Sequence, residues 1–231
     1  MIPPDRDASF VAAMEALLEV YLAPPDPDRP LVCFDEGGKE LHAHVHPPQP
    51  LRSGQPARED ADDQRRGSAT LFLSCAPQLG WRQVRVAEQR TGVDWALAIR
   101  ELVDVHFADA QQIILVLDNL NTHRLSSLYT AFPAPEARRI ARKLELHFTP
   151  NHGSWLNMAE SELHALGQQC LRRRIPDRAT LEREVAAWVA ARNADRVTVH
   201  WQFSTDDARR AMPEVYPIPI CDTNGLTHHS G

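Results

Sequence analysis

The segment that most constrains the fold of this chain is an uninterrupted run of branched aliphatic residues, IILVL at 113–117, followed at once by Asp118. A strand with one face in water alternates apolar and polar residues, because successive side chains point to opposite faces. A run without alternation is typical of a strand that is buried on both faces. We therefore expect a central strand here, in a sheet flanked by helices, with an acid where the strand reaches the surface.

The spacing of apolar residues predicts the other elements. Apolar residues recur at helical spacing in 8–22, 92–107, 134–143, 154–171 and 178–193. Short apolar or alternating segments predict strands at 31–36, 39–46, 70–76, 83–89 and 143–148. The Gly-Gly pair between the first two strands predicts a hairpin, and the segment 47–68, rich in Pro, Gly, Arg and Asp, predicts a loop. The order of these elements is that of an α/β ribonuclease-H-like fold, a mixed sheet flanked by helices.

The length of 231 residues and the hydrophobic content of 43% are enough for one substantial core. We place an N-terminal helix and Pro-rich connector at 1–30, the main domain at 31–212 and a disordered tail at 213–231. No segment approaches the roughly 18 consecutive apolar residues of a membrane span, and the N-terminus lacks the basic and apolar regions of a signal peptide. These features argue against a membrane protein and predict a cytoplasmic location.

Charge is distributed unevenly along the chain, whose net charge is −6. Residues 1–117 carry −7, whereas residues 118–212 carry +3. Because phosphate backbones attract basic surfaces, we expect any DNA contact on the second half. The densest basic cluster is Arg172, Arg173 and Arg174, which either contacts phosphate or only stabilises the C-terminal end of a helix.

Two aspartates follow apolar strands. Asp35 comes after the run LVCF, and Asp118 comes after IILVL. If these strands are neighbours, the two carboxylates lie side by side. Carboxylate oxygens are preferred ligands of Mg²⁺ and Mn²⁺, and cleavage of a phosphodiester by two such ions requires rigidly held acids. A single aspartate at a strand end is more often a turn former, but two such strands together favour a metal site.

A third acid is supplied by the helix predicted at 154–171. Its buried stripe consists of Leu156, Ala159, Leu163, Leu166 and Cys170. Glu160 lies at the edge of this stripe and is predicted to face the sheet. Glu162 lies about 200° further round the helix and is predicted to face solvent. Helical geometry therefore favours Glu160, although a glutamate beside an apolar stripe is by itself more often a solvated ion-pair partner.

Polar and aromatic side chains flank the two later acids in the sequence. They are Asn119, Asn121 and His123 after the first of these acids, and His152, Trp155 and Asn157 before the second. Such side chains can orient the metal ligands or contact the phosphates of DNA. The alternative is that the asparagines only form hydrogen-bonded turns, which they favour in any protein.

Five segments carry a resemblance to a known family: VCFDE, LVLDNLNTH, FTPNHGSWLNMAESEL, RRRIPDRATLEREVAAWVAARN and WQFSTDDAR. From about residue 2 to 212 the chain resembles the DDE endonuclease domain of the mariner-like bacterial insertion-sequence transposases, the IS-six-thirty group. The resemblance implies a ribonuclease-H-like fold in which Asp35, Asp118 and Glu160 are the catalytic, metal-binding triad. It also implies Mg²⁺ or Mn²⁺ as cofactor and no small-molecule cofactor.

The reaction that the resemblance implies is hydrolytic cleavage at transposon ends, followed by attack of the freed 3′-hydroxyl on target DNA. Its partners would be double-stranded DNA, as transposon ends and target, and a second copy of the chain in a homodimer on DNA. No membrane is involved, and the implied location is the bacterial cytoplasm, in association with the nucleoid.

Several departures from the family pattern support an alternative function. Relatives usually carry an N-terminal helix-turn-helix region that reads the transposon ends, whereas this sequence starts just before the catalytic domain. Positions where relatives have tyrosines, an asparagine and a lysine are occupied here by Glu59, Ala61, Asp63, Thr70 and Gly37. These departures favour a catalytically inactive or truncated remnant that keeps only a DNA-binding or assembly surface.

Two further alternatives concern the same residues. A nuclease or resolvase acting on branched DNA could use the same triad, but the segment SWLNMAE belongs to the transposase pattern. A separate metal site could form at His42, His44 and His46, which alternate in a strand and so share one face. A solvent-exposed polar strand face explains these histidines equally, and the family pattern has none there.

Overall fold

A computed structural model describes residues 8–45, 63–118, 120, 123–213 and 216 of the chain. The tail predicted at 213–231 lies outside the described residues except for 213 and 216. The loop predicted at 47–68 lies outside them as far as residue 62. Within the described ranges, no helix is both long and apolar enough to cross a membrane.

Five strands form one mixed sheet. They are β1 (Leu31–His44), β2 (Asp63–Ala76), β3 (Trp81–Ala87), β4 (Ile113–Leu117) and β5 (Leu144–Phe148). The strand order is β3-β2-β1-β4-β5, in which the first three strands are antiparallel and β4 and β5 run parallel to β1. The apolar run at 113–117 therefore is an interior strand of a mixed sheet, as predicted.

Seven helices accompany the sheet in the described part of the chain. They are α1 (Ala8–Leu22), α2 (Gly92–Glu101), α3 (Leu125–Ala131), α4 (Ala134–Arg142), α5 (Met158–Gln169), α6 (Arg178–Ala194) and α7 (Thr205–Ala211). A π-helical turn at Leu102–His106 extends α2. The short helices α3 and α7 were not predicted, because seven residues contain too few turns for apolar periodicity to stand out.

The predicted hairpin at the Gly-Gly pair is wrong. β1 is one strand of 14 residues that continues through Gly37 and Gly38, which pair with Leu71 and Thr70 of β2. Both halves of β1 pair with the same neighbour, which is itself 14 residues long and begins within the predicted loop. Glycine adopts extended backbone as readily as turns, so the pair alone did not distinguish a turn from a long strand.

Alternation along the strands divides the core into two layers. Side chains of Cys33 and Val116 belong to a cluster with α1, α5 and α6, whereas those of Phe34 and Leu117 belong to a cluster with α2, α3 and α4. Both faces of the interior strands are thus covered by helices, which explains why β4 contains no polar residue.

The N-terminal helix belongs to the first of these two clusters. Met14, Leu17 and Leu18 of α1 are fully buried there. Tyr21 donates a hydrogen bond of 2.6 Å to the carbonyl of Leu156, and its ring stacks on Trp201 at 5.0 Å between centroids. The helix therefore packs into the same core as the sheet.

The connection between β2 and β3 is a short 3₁₀ helix, Pro77–Leu79, that ends at Gly80. Gly80 has a φ of 65°, and a Cβ atom there would lie 2.7 Å from the backbone of Arg196. Only glycine fits, because any other residue would combine a strained left-handed backbone with this close contact.

Candidate metal centre

The strand register places the first two predicted acids side by side. β1 and β4 are parallel, and Cys33 pairs with Val116. Asp35 and Asp118 each lie two residues beyond that pair, so their backbones are level with each other on neighbouring chain segments, and strands in a sheet are about 4.8 Å apart. The continuous strand fixes Asp35, and Asp118 directly follows the last residue of β4.

The third predicted acid, Glu160, is positioned by the N-cap residue of α5. Asn157 accepts a hydrogen bond of 3.1 Å from the backbone N–H of Ala159, as the N-cap of α5. Its amide nitrogen donates a hydrogen bond of 2.9 Å to the carbonyl of Phe34, the residue before Asp35. The start of α5 is therefore tied to β1, and Glu160, in the first helical turn, lies near enough to Asp35 to affect its ionisation.

Electrostatics shows that the three acids interact. The pKa of Asp35 is raised to about 6, first by burial and then by the negative charges of Asp118, Glu36 and Glu160, although the backbone N–H of Glu36 opposes the shift. That N–H donates to Asp35 Oδ1 at 2.8 Å. Carboxylates that oppose one another's ionisation are stabilised when a cation lies among them.

The donor set fits a hard divalent cation. Asp35, within β1, and Asp118, just after β4, are partly buried, and Glu160 is exposed to solvent at the start of a helix. Such sites combine fixed carboxylate oxygens with open positions for water and substrate oxygens, which is the environment that Mg²⁺ and Mn²⁺ prefer. These three residues could hold the ion once their side chains move closer together, because in the described structure their ligand oxygens do not all lie within 4.8 Å of one another.

A second carboxylate next to Asp35 takes part in a different contact. Glu36 follows Asp35 in β1 and so points to the opposite face of the sheet, where its side chain is 1% exposed. Its Oε2 lies 2.5 Å from Nε2 of His123, and its Oε1 accepts a hydrogen bond of 2.5 Å from Nε of Arg90. Glu36 was not predicted from the sequence. The signal was a second acid close after the apolar run LVCF, because an acid that becomes buried needs a partner of opposite charge.

His123 joins Glu36 to Asp118. Its Nδ1 lies 2.5 Å from Oδ1 of Asp118, and the ring is fully buried between Phe34 and Trp95. Burial opposes protonation of the imidazole, but the carboxylates of Asp118 and Glu36 outweigh it and raise the pKa of His123 to about 9. Each ring nitrogen therefore faces a carboxylate oxygen at ion-pair distance.

The other residues predicted near the acids differ in whether they are exposed, buried or outside the described residues. Asn119 and Asn121 lie outside the described residues. His152 and Trp155 are exposed, with 47% of Trp155 accessible beside the start of α5. Asn157 is buried, and its side chain is bound to the protein as described above.

The three predicted arginines are not brought to the acids. They follow the C-terminal end of α5, whose 12 residues span about 18 Å, whereas Glu160 is in its first turn. Arg172 is exposed, Arg173 forms an ion pair with Glu184, and Arg174 Nη1 lies 3.0 Å from His44 Nδ1.

The alternative histidine site has no support from the described residues. His46 lies outside them, and His42 Nε2 lies 3.3 Å from Glu40. The contact of His44 with the guanidinium of Arg174 disfavours a second cation at that imidazole. In the described ranges, the one group of three side chains whose ligand atoms lie within 4.8 Å of one another is Glu36, Asp118 and His123.

The prediction that Glu162 faces solvent is wrong. Its side chain is buried with 7% of the residue exposed, and its carboxylate lies 3.1 Å from Nε of Arg82 and 2.9 Å from Nη2 of Arg192. Arg82 comes from β3 and Arg192 from α6, so these elements cover the side of α5 that a lone amphipathic helix would expose. Glu162 is thus a partner of two arginines, and Glu160 is the acid near Asp35 and Asp118.

Comparisons with known proteins agree with this architecture. The sequence pattern of the family described as "DDE superfamily endonuclease" matches residues 30–182. The fold is similar to that of the Mos1 mariner paired-end complex with Mn, with a TM-score of 0.53 and 16% identity over 85% of this chain and 61% of that one. The Mos1 paired-end complex with Mg gives a TM-score of 0.52 and 17% identity over 93% of this chain and 62% of that one.

No curated protein matches the chain significantly in sequence. The chain spans about three-fifths of the length of the Mos1 chains, so the likeness to them concerns the fold alone. That fold is the ribonuclease-H-like one that the order of elements predicted. The family pattern covers about two-thirds of the chain and contains both aspartates and Glu160, so the chain belongs to the DDE superfamily endonuclease family.

Proposed function

We propose that this chain is the catalytic domain of a DNA transposase, in which Asp35, Asp118 and Glu160 hold two Mg²⁺ or Mn²⁺ ions. The observation that carries the proposal is the placement of Asp35 and Asp118 next to each other beyond the paired parallel strands β1 and β4, with Glu160 near enough to raise the pKa of Asp35. Membership of the family and the similarity in fold to complexes named as transposon paired ends support the choice of DNA as substrate.

The proposed reaction is hydrolysis followed by strand transfer. Water forms a bond to phosphorus, the bond from phosphorus to the 3′ oxygen breaks, and that oxygen leaves as a hydroxyl. The oxygen of this 3′-hydroxyl would then form a bond to phosphorus in a target phosphodiester, the bond from that phosphorus to the target's 3′ oxygen would break, and the released oxygen would take up a proton and leave as a hydroxyl. Bound divalent ions supply activation of the attacking oxygen and stabilisation of negative charge on the phosphate.

The residues of the chain contribute position and charge. The backbones of Asp35 and Asp118 keep a fixed separation because one lies within an interior strand of the sheet and the other directly follows one. Glu160 is exposed on the same side and completes the oxygen ligands while leaving room for the DNA backbone. Rigid acids reduce the reorganisation that the reaction would otherwise require.

We also propose a family group, a location, an assembly and DNA contacts for this chain. The five segments that resemble the IS-six-thirty group support a bacterial insertion-sequence transposase acting in the cytoplasm, in association with the nucleoid. We propose a homodimer on double-stranded DNA, with transposon ends and target as substrates. Residues 31–212 would form the catalytic domain, together with α1 at 8–22, and Trp155 and Arg172 would contact DNA because both are exposed.

The test is nicking of supercoiled plasmid DNA by the purified chain in the presence of Mn²⁺. We expect nicking by the wild type and its loss in Asp118→Asn, because the amide removes one charged ligand. Asp109→Asn is the matched control, since Asp109 is exposed near the opposite end of β4 and should tolerate the change.

The outcomes separate the candidate functions. Absence of nicking by the wild type with either Mn²⁺ or Mg²⁺ would support the inactive remnant instead. A strong preference for branched over linear DNA would support the resolvase. Nicking that survives Asp118→Asn would exclude the proposed site as its source.

A further inference from the structure

Three buried or half-buried side chains form a line beside the proposed metal centre. Glu36 contacts Nε2 of His123, and Asp118 contacts Nδ1, so the two carboxylates lie at opposite ends of the imidazole ring. Glu36 is also bound by Arg90, from the segment between β3 and α2. His123 packs against Trp95 at 6.0 Å and edge-on to Phe34 at 5.6 Å between ring centroids.

The spacing within this line fits close ion pairs better than a shared metal ion, although neither contact has the angular geometry of a hydrogen bond. Ligand atoms of an octahedral Mg²⁺ lie about 2.1 Å from the ion and so about 3.0 Å from each other. Both contacts between nitrogen and oxygen in the line are 2.5 Å, which leaves space for a proton only. Each ring nitrogen is therefore occupied by a carboxylate, and His123 is not available as a ligand in this arrangement.

The line has a clear effect on Asp118. This residue lies just after the end of β4, and its side chain is 28% exposed, so the strand by itself does not hold the carboxylate in one orientation. The contact with His123 engages Oδ1 and restrains the rotation of the group. Oδ2 then remains the oxygen that can face a cation.

His123 is in turn held from the other side. Glu36 belongs to the same strand as Asp35, so the line connects one proposed ligand, Asp118, to the strand that carries the other. Arg90 neutralises the outer carboxylate, which is buried and would otherwise be costly. The relative position of the two aspartates thus depends on Glu36 and His123 as well as on the sheet.

We propose that Glu36 and His123 are positioning residues that orient the carboxylate of Asp118 for a divalent cation, with Arg90 as their outer support. The inference rests on the proposed function, in which Asp118 is a metal ligand. Groups that orient ligands in this way typically change metal affinity by about 10-fold to 100-fold when they are replaced.

Two substitutions of His123 separate positioning from packing. The side-chain nitrogen of Asn is attached at the same point as Nδ1 of histidine, so His123→Asn can still donate to Asp118. The nitrogen of Gln corresponds to Nε2, so His123→Gln keeps the contact with Glu36 and loses the one with Asp118. Both remove the buried ring, and the two variants should lose similar thermal stability.

The measurement is the dissociation constant of Mn²⁺ alone for the full chain, from the electron paramagnetic resonance signal of free Mn²⁺. We expect His123→Gln to raise this constant by about tenfold or more, and His123→Asn to change it by less than about threefold. Glu36→Gln is a second variant that leaves the ring in place, and it should weaken binding less than Asp118→Asn does.

Other results would overturn the proposal. Wild-type affinity in His123→Gln, with weak binding in Asp118→Asn, would make the line purely structural and leave the proposed function intact. Equal and large losses in both histidine variants, or a loss in Glu36→Gln as large as in Asp118→Asn, would make these residues ligands. Unchanged binding in Asp118→Asn would remove the proposed metal centre itself.

Discussion

At the scale of single residues, Asp35 and Glu36 show how a strand gives neighbouring acids opposite environments. They point to opposite faces of β1: Asp35 meets the charges of Asp118 and Glu160, whereas Glu36 is neutralised by His123 and Arg90. Asp35 is thus the acid with uncompensated charge, and Glu36 is the acid with paired charge. The sequence pattern could identify the pair but not which partners each would meet.

The raised pKa of Asp35 has a consequence for the stability of the metal-free protein. The folded-state pKa is about 6, above the value of about 3.9 for an unfolded chain, so the folded state binds more protons between these pH values. Stability should therefore fall as the pH rises from about 4 through about 6 and stay lower above that range. The Asp35→Asn variant should not show this fall in stability, because the amide of asparagine does not ionise.

We expect Asp35→Asn to be more stable than the wild type at pH 7.5 in EDTA by about 1–3 kcal/mol, with the difference disappearing near pH 4. Urea denaturation at both pH values measures it. Asp109→Asn should follow the wild type, since that side chain is exposed. Identical pH profiles for Asp35→Asn and the wild type would contradict the raised pKa of Asp35, which burial causes first and the neighbouring acids second. Added Mn²⁺ should stabilise the wild type more than the variant.

At the scale of elements, α5 differs from a simple amphipathic helix because it is buried on two sides. One side packs on the sheet through Ala159 and Leu166, and the other places Glu162 against Arg82 and Arg192. A buried carboxylate between two guanidinium groups has to remain charged, because a neutral group there would leave both arginines without their partner. The ion network therefore fixes α5 against β3 and α6.

Glu162→Gln should consequently destabilise the fold by about 3–5 kcal/mol, the usual effect of removing one partner from a buried ion pair. Glu182→Gln is the matched control: Glu182 accepts a hydrogen bond of 2.8 Å from Arg178 but is half-exposed. That pair should contribute no more than about 0.5 kcal/mol. Urea midpoints of the two variants make the comparison, and similar small losses in both would mean that Glu162 is solvated after all.

At the scale of the whole molecule, the first helix and the last described helix join the same core. Arg209 of α7 binds Glu15 of α1, with 2.9 Å from Nε to Oε1. Leu17 of α1 is fully buried in the cluster that covers the face of the sheet nearest the three acids. The helix that precedes the Pro-rich connector thus contributes to the scaffold of the proposed metal centre.

Leu17→Ala should therefore cost about 2–5 kcal/mol of unfolding free energy, because it leaves a cavity in a packed core. Leu22→Ala provides the control at the end of the same helix, where the side chain is 43% exposed, and it should cost about 0.5 kcal/mol or less. Thermal and urea unfolding of the two variants test this. If Leu17→Ala is as mild as Leu22→Ala, α1 is an appendage and not part of the core.

Local patterns were sufficient to determine the kinds and order of most elements. The apolar run at 113–117 specified an interior strand with Asp118 at its end, and helical spacing indicated α1, α2, α4, α5 and α6. These predictions succeeded because burial on one or both faces leaves a period in the sequence itself. The proximity of Asp35 and Asp118 required only the assumption that their strands are neighbours, which the parallel pairing of β1 and β4 fulfils.

Contacts between distant segments decided the rest. Arg82 and Glu162 are 80 residues apart, so nothing near Glu162 in sequence indicated that its solvent face would be covered. The same holds for Glu36 and His123, whose line to Asp118 exists only once β1 and β4 are paired. The sequence by itself determined that Asp35 and Asp118 follow apolar strand residues, because strand periodicity is local. Tertiary structure decided which of the acids have a positively charged partner, because the charge that neutralises an acid comes from elsewhere in the chain.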